Sequence, residues 1–389
     1  MQPEALTTLR CPTCLGTLRP VDFGGSDSTL EAGLLLCDAC ATAFPVQAGV
    51  PVLLRFATPF HSWFASRYAA ELAAQEGHSL PSGTPRPGEE AVQETFTDEW
   101  SLTSEDDLSF SYSAEQLIEL NRRVWLKWLD DVPEGERPNS LLNVGCGAGM
   151  ETIALREVTG ARQIFAVDLN FALLDRRPEF RDQPGITFVV CSLFDLPFET
   201  ASFDMVYSQG VLHHTHSTEE AFRSVAPRTR PGGHLFVWVY GLDDHLTPSG
   251  SKLVKRRHHL AEHMSRPLIS RAPRPIRNGI FKVLSAVAHL RPRGGHARQG
   301  EAVHGDRWSR LNTEHALRDW LSPRYARRHG YVEVTEWFED AGFAVIDIQS
   351  ASAYRELFGT PMFGVGMTGR RLEGSPAGRE RAAESSVPA

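Results

Sequence analysis

Four of the six cysteines stand in two close pairs, Cys11-x2-Cys14 and Cys37-x2-Cys40. Paired CxxC turns present four thiolates tetrahedrally, the arrangement zinc takes, and a reducing compartment keeps such thiols out of disulfides. The four are read as a structural zinc site, because a closed ligand set leaves no position for catalysis. A second constellation is Gly145-Cys146-Gly147-Ala148-Gly149, which directly follows the apolar run Leu141-Leu142-Asn143-Val144. A helical pattern follows at 151–158. Glycines admit close backbone approach to a ligand, and a helix N-terminus offers free N–H groups. A second apolar run, 163–167, ends in Asp168, where a carboxylate can take two ribose hydroxyls. The spacing is GxGxG rather than GxGxxG, which favours a nucleoside-type ligand over a dinucleotide. His213 and His214 follow a further apolar run. Imidazole has the pKa of a general base, though these rings could equally shape a pocket or cap a helix.

Such groups need a scaffold. Short apolar runs at 141–144, 163–167, 186–191, 202–208 and 234–240 read as strands. Helical patterns lie at 151–158 and 218–225. Strands alternating with helices predict a parallel sheet with right-handed crossovers and ligands at the strands' carboxyl ends. A helix at 332–341 and strands at 343–348 and 362–368 complete the pattern. Around the cysteines, 44–46 and 50–54 read as short strands about Gly49, and Gly24, Gly25 and Ser26 as a hairpin tip. So small a unit has little core, so a metal would contribute folding free energy. Residues 81–88 read as a linker. Residues 115–129 read as one amphipathic helix burying Leu117, Leu120, Val124, Trp125 and Trp128. Between the fifth and sixth strands lies an insert, 241–310, with helical spacing at 253–264 and 276–290.

The chain has 389 residues, 41% apolar and 23% charged, with a net charge of -8. That composition excludes a chain disordered throughout. No apolar run approaches the roughly 20 residues of a membrane helix, and the N-terminus lacks a secretory pattern, so a cytoplasmic protein is expected. The net charge conceals a division. Residues 252–298 hold 12 Lys or Arg against Glu262 alone, and residues 89–136 hold 14 acids against three cations. The basic insert is read first as a solvated lid over the active site, then as a peripheral contact for an anionic substrate or membrane face, and last as an RNA grip. Between Lys252 and Arg298, Phe281 is the one aromatic apart from histidines, which counts against RNA.

Residues of about 5–56 resemble the small zinc-ribbon proteins related to the activator subunit of eukaryotic tRNA and ribosome methyltransferases. The resemblance rests on Leu9-Arg10-Cys11-Pro12-x-Cys14, Cys37-x-x-Cys40, Phe44-Pro45 and Gly49-Val50-Pro51-Val52-Leu53-Leu54. Residues of about 138–242 resemble a class I S-adenosylmethionine-dependent methyltransferase. Here the glycine turn is joined by Leu196-Pro197-Phe198, Phe203-Asp204-x-Val206-Tyr207-Ser208, Leu212-His213-His214 and Pro231-Gly232-Gly233. The resemblance implies that Gly145, Cys146 and Gly147 line the methionine side and that Asp168 binds the ribose. Leu169 would pack on the adenine, Ser192 and Leu193 would face its edge, and Gln209 would lie near the sulfonium. Gly149 closes the turn. Two positions depart from the family. Asn143 stands where an acid is usual, and Ser192 where Asp is usual. Asp319, Tyr325 and His329 lie in an Asp-Trp…Pro-x-Tyr…His stretch, similar to one found in many bacterial methyltransferases, and are candidate substrate residues.

The expected architecture is α/β, a Rossmann-like seven-stranded methyltransferase sheet with a small N-terminal zinc ribbon. Its parts are the ribbon (1–57), a linker and helical cap (58–137), the catalytic domain (138–369) and a disordered tail (370–389). The expected function is methyl transfer from S-adenosylmethionine to a small-molecule or glycan/lipid-type acceptor at oxygen. Two alternatives are an rRNA methyltransferase resembling bacterial 23S rRNA guanine-N1 enzymes and an inactive zinc-ribbon scaffold that binds a protein partner.

Overall fold

The computed structural model describes residues 1, 3–24, 29–101, 112–175, 183–242, 260, 263–290, 310–358, 362 and 364–374. Four short strands come first: β1 (Arg19–Asp22), β2 (Gly33–Cys37), β3 (Thr42–Gln47) and β4 (Val50–Leu53). Seven more follow: β5 (Ser140–Val144), β6 (Gln163–Asp168), β7 (Ile186–Cys191), β8 (Phe203–Gln209), β9 (Thr229–Val239), β10 (Phe343–Ile348) and β11 (Val365–Arg371). The last strand runs past residue 370, where the sequence pattern placed the start of a tail. Residues 375–389 lie outside the described residues.

All eleven strands join one sheet, in the order β1-β2-β3-β4-β7-β6-β5-β8-β9-β11-β10. The expected count of seven is thus corrected to eleven. β5, β6, β7, β8 and β9 pair in parallel, and β10 and β11 close that edge antiparallel. The other four strands are added because β4 changes partner along its length. Val50 and Pro51 pair with β3, whereas Val52 and Leu53 pair in parallel with Val190 and Cys191 of β7. Proline lacks an N–H, so Pro51 at the hand-over forfeits no donor that the β7 ladder needs. Arg10 reinforces the seam: its N–H donates to the Pro197 carbonyl at 2.8 Å and its guanidinium meets Glu199. One apolar core runs across the seam, from Leu9, Leu35 and Phe44 to Phe165, Phe198 and Phe203.

The parallel strands are near-continuous apolar runs because helices cover both faces. Leu141, Leu142, Phe165, Val189, Val206 and Phe236 are fully buried. The helices that bear on the site are α1 (Pro59–Arg67), α2 (Ala69–Ala73), α3 (Glu89–Trp100), α4 (Ala114–Leu120), α5 (Met150–Thr159), α6 (Thr218–Val225), α7 (Arg274–Leu290), α8 (Arg310–Leu321), α9 (Tyr331–Asp340) and α10 (Ala351–Phe358). The single helix expected over 115–129 breaks instead into α4, a π turn at Asn121–Trp125 and a 3-10 turn at Lys127–Asp131. Asn121 explains the change. Its side-chain amide donates to the Leu117 carbonyl, and its own carbonyl accepts from Leu126 five residues on. The wider turn lets Val124, Trp125, Trp128 and Leu129 all reach the core. The expected helix at 253–264 falls mostly outside the described residues. No described helix is long and apolar enough to cross a membrane.

α1 carries a titratable cap. His61 Nδ1 accepts the Thr58 backbone N–H at 3.1 Å, so the ring proton sits on Nε2, which is buried without a hydrogen-bond partner among the described residues. Burial pushes His61 down to about 4, from an ordinary 6.5. The unfolded chain binds the proton more readily, so this stability is complete above pH 6.5 and is lost as pH falls toward 4. Glutamine keeps the acceptor but does not titrate. His61→Gln is expected to match wild type in chemical denaturation at pH 7.5 and to exceed it increasingly below pH 6. Parallel stability curves for the two proteins over that range would contradict this reading.

Candidate functional site

The glycine turn joins β5 to α5 by folding back on β6. The Gly145 and Cys146 N–H groups both donate to the Val167 carbonyl, at 2.7 and 3.1 Å. Gly145, Gly147 and Gly149 all have positive φ, the left-handed region where a side chain is strained. Space is closed as well. A Cβ on Gly145 would lie 2.0 Å from Val211, and one on Gly147 would lie 2.5 Å from the Trp100 ring. Asp168 ends β6 half-buried at the turn. Its Oδ2 accepts the Gly147 N–H at 2.8 Å and its Oδ1 the Asn170 N–H at 2.9 Å. Burial raises the carboxyl, and these backbone donors offset part of the rise. Each oxygen keeps a lone pair, so the group suits a diol. Asn143 is fully buried. Its amide donates to Thr152 Oγ1 at 2.9 Å, while its Oδ1 has no partner among the described residues. These orphan and half-used acceptors, beside a turn with glycine at 145, 147 and 149, fit the sugar and amino-acid ends of S-adenosylmethionine.

The segment after β7, where the adenine contacts were expected, is held by its own polar contacts. Ser192 Oγ accepts the Phe194 N–H, and the Leu193 carbonyl accepts from Ser224 Oγ at 2.7 Å. Asp195 is held by Arg55 at 2.7 Å and by Arg86 at 3.4 Å. Leu169 packs into the core with Phe171, which stacks on Phe60 of α1 at 5.2 Å. Gln209 ends β8, half-buried.

Polar groups gather where β8 and β9 end. His213 is fully buried and stacks on Tyr240 at 3.9 Å; His214 lies 4.2 Å away. Neither ring nitrogen of His213 has a hydrogen-bond partner among the described residues. Burial, reinforced by His214, holds His213 well below the usual histidine range, so the ring is neutral. His214 Nδ1 donates to the Tyr325 carbonyl at 2.9 Å, which turns its Nε2 toward Asp319 at 3.5 Å. The Tyr240 hydroxyl donates to Asp319. Burial pushes Asp319 up, but His214 and Tyr240 outweigh it and hold the carboxyl below its usual range.

α3 covers this cleft. Phe96 meets His214 edge-on at 5.2 Å, Thr97 Oγ1 accepts the Phe171 N–H, and Trp100 lies on Gly147. The insert and α8 bind α3 from outside. Arg277 meets Asp98 at 2.9 Å with both side chains nearly buried, Arg274 reaches the same carboxylate at 2.5 Å, and His315 lies 3.3 Å from Glu99. Part of the basic block and part of the acidic block are therefore each other's partners. Arg318, over the Phe281 ring, ties α8 to α7 through Asn278.

The structure brings His213, His214 and Asp319 into one cluster. Tyr325 touches it through its backbone, while its hydroxyl donates to the Pro87 carbonyl ahead of α3. His329 stands apart: Thr218 and Glu333 occupy its two nitrogens and Trp337 packs on its ring. Sequence reasoning missed Glu99, Trp100, Tyr240 and His315. Tyr240 was legible as the end residue of a strand. Glu99 and Trp100 sat in the acidic stretch 89–136, within the segment expected to be a linker and helical cap.

The four cysteine sulfurs lie within 4.8 Å of one another, with Cys11–Cys40 at 3.5 Å and Cys14–Cys37 at 3.4 Å. Tetrahedral zinc with bonds of about 2.3 Å separates its sulfurs by about 3.8 Å, so the set could hold one ion. Leu15 and Ala41, each just after a pair, both adopt positive φ. Two non-glycine residues in that strained region at matching positions indicate an imposed knuckle shape.

Residues 142–237 match the family model described as a methyltransferase domain. A tRNA U34 carboxymethyltransferase of Idiomarina loihiensis is 32% identical over 103 residues, 25% of this chain and 31% of that protein. A malonyl-[acyl-carrier protein] O-methyltransferase of Legionella pneumophila is 29% identical over 107 residues, 27% of this chain and 38% of that protein. The solved 1,6-didemethyltoxoflavin-N1-methyltransferase of Burkholderia thailandensis is 16% identical with a TM-score of 0.37, covering 91% of this chain and all of that one. The chain spans less than half the length of the curated relatives it matches. The 142–237 segment is thus similar to a methyltransferase domain, and it lies on a Rossmann-like α/β sheet.

Proposed function

We propose that the protein transfers a methyl group from S-adenosylmethionine to a small-molecule or glycan/lipid-type acceptor, at a hydroxyl oxygen. The observation that carries the reading is the pairing of the Asp168–glycine-turn cradle with a buried, neutral His213, without a hydrogen-bond partner among the described residues, at the carboxyl ends of the same sheet. When bound, the cofactor supplies a methyl group already activated on a sulfonium, so the protein's work is positioning and proton removal. His213 accepts the acceptor's hydroxyl proton on its free nitrogen. His214, oriented by the Tyr325 carbonyl and Asp319, fixes the neighbouring wall, and Tyr240 stacks on His213 to hold its plane.

Relatives named for tRNA and for an acyl-carrier protein show that the domain serves acceptors of different kinds. The engagement of Arg274 and Arg277 with Asp98 supports a lid rather than an RNA grip for that part of the insert. We also assign one structural zinc to Cys11, Cys14, Cys37 and Cys40. The ribbon it organises extends the sheet beside the Asp195 loop.

Two sets of outcomes are expected. Metal analysis of purified protein gives about one zinc per chain, lost in Cys37→Ser together with thermal stability; metal-free, equally stable wild type contradicts the zinc assignment. With an acceptor in hand, Asp168→Ala weakens S-adenosylmethionine binding at least tenfold in calorimetry. His213→Ala leaves that binding intact and lowers kcat by on the order of 10²- to 10⁴-fold. Because burial depresses His213, wild-type kcat stays level as pH falls through 6.5, where an ordinary histidine base would begin to fail. Unchanged kcat in His213→Ala would remove it from the chemistry.

A further inference from the structure

Three carboxyl groups converge on the covered side of the cleft, and the described residues balance them poorly. Glu99 sits on the last turn of α3 and is 2% exposed. Its Oε1 lies 3.3 Å from His315 Nε2, and its Oε2 has no hydrogen-bond partner among the described residues. Its acidic neighbours are Asp319 of α8 and Asp168 of β6. Arg318 of α8 also faces it, but that guanidinium is engaged by Glu314 at 2.6 Å and Asn278 at 3.0 Å. Burial holds His315 at about 4, so it brings no charge at neutral pH. Asp98, the preceding residue of α3, is taken by Arg274 and Arg277.

The same helical turn touches the cofactor loop. Trp100 lies so close to Gly147 that a Cβ there would stand 2.5 Å from its ring. Beneath that loop the buried side chain is Asn143, an uncharged amide whose Oδ1 is also unpartnered. A buried carboxyl with an unused oxygen and two acidic neighbours is costly until a cation arrives. S-adenosylmethionine carries a sulfonium and an ammonium against a single carboxylate, so it enters with net positive charge.

We propose that Glu99 is a cofactor-binding residue, the carboxylate that α3 places over the cleft to counter the positive charge of bound S-adenosylmethionine. This rests on the methyltransferase reading above. Its linkage follows from the surroundings. Burial first, then Asp319 and Asp168, hold Glu99 well above the usual carboxylate range against the opposing Arg318, which favours its protonated form before the ligand arrives. A cation beside it favours ionisation, and the proton leaves to solvent.

The test is calorimetry of the full chain with S-adenosylmethionine at pH 7.5, in buffers of different ionisation enthalpy. Wild type is expected to bind with release of a substantial fraction of a proton. Glu99→Gln is expected to bind about tenfold more weakly or worse, as for loss of a charged hydrogen bond, and to release far less. Thermal melts check that the variant is folded, and Glu99→Asp should recover part of both effects. S-adenosylhomocysteine lacks the sulfonium. An equal Glu99→Gln effect on it supports contact with the ammonium, and a smaller effect supports contact with the sulfonium. Affinity and proton count unchanged in Glu99→Gln overturn the proposal while leaving the methyltransferase reading intact. If that variant does not fold, binding by wild type without proton release overturns it instead. Wild type that fails to bind S-adenosylmethionine overturns the methyltransferase reading, and this proposal with it.

Discussion

The rest of the site depends on one closure, the glycine turn folding back onto β6. Gly145 and Cys146 donate to the Val167 carbonyl, and Gly147 donates to the Asp168 carboxylate. These bonds fix three things together: where α5 begins, which way Asp168 points and how near a ligand can come to bare backbone. Asn170 completes the closure by donating from its side chain to the Gly147 carbonyl at 3.2 Å. Because Val211, Trp100 and Phe188 crowd the three glycines, the turn is shaped by packing from the segment after β8, from α3 and from β7 as well as by its own backbone.

Two additions flank this closure, and each brings charge. On one side, β1 to β4 continue the sheet, and Arg55, just beyond β4, reaches Asp195. On the other side, α7 and α8 set basic side chains against the acids of α3. Arg277 and Asp98 face each other with almost no exposure, where a charge pair depends on keeping both partners. α3 is consequently held over the cleft by the insert and against the cofactor loop by Trp100. His213, His214 and Tyr240 are buried beneath that cover, where polar groups act strongly, and Asp319 beside them is part-exposed.

Much of this was legible in the sequence because the parallel strands are buried on both faces. β7, β10 and α6 fall on the residues that the apolar patterns marked, and the glycine spacing located the turn. The π turn after α4 was not legible, because Asn121 looks like one more polar residue in a helical pattern. The sheet's true width was hidden as well. Nothing in Val50-Pro51-Val52-Leu53 says that half of the strand will pair with a segment about 140 residues away. The roles of Glu99 and Trp100 were masked by composition. An acidic stretch reads as solvated surface until the fold brings Arg274, Arg277 and His315 across from it. His213, His214 and Asp319 were singled out from motifs, yet only tertiary structure shows that they meet and that His329 faces Thr218 and Glu333.

The central claim is that the closed glycine turn, Asp168 and the overlying α3 form one cofactor cradle. Hydrogen–deuterium exchange of the full chain, with and without S-adenosylmethionine, addresses it most directly. The account predicts slower amide exchange in residues 143–150, 168–171 and 89–100 when the cofactor is present, with little change in β1 to β3 of the ribbon. Unchanged exchange in those three segments under saturating cofactor, or protection confined to some other part of the chain, would contradict it.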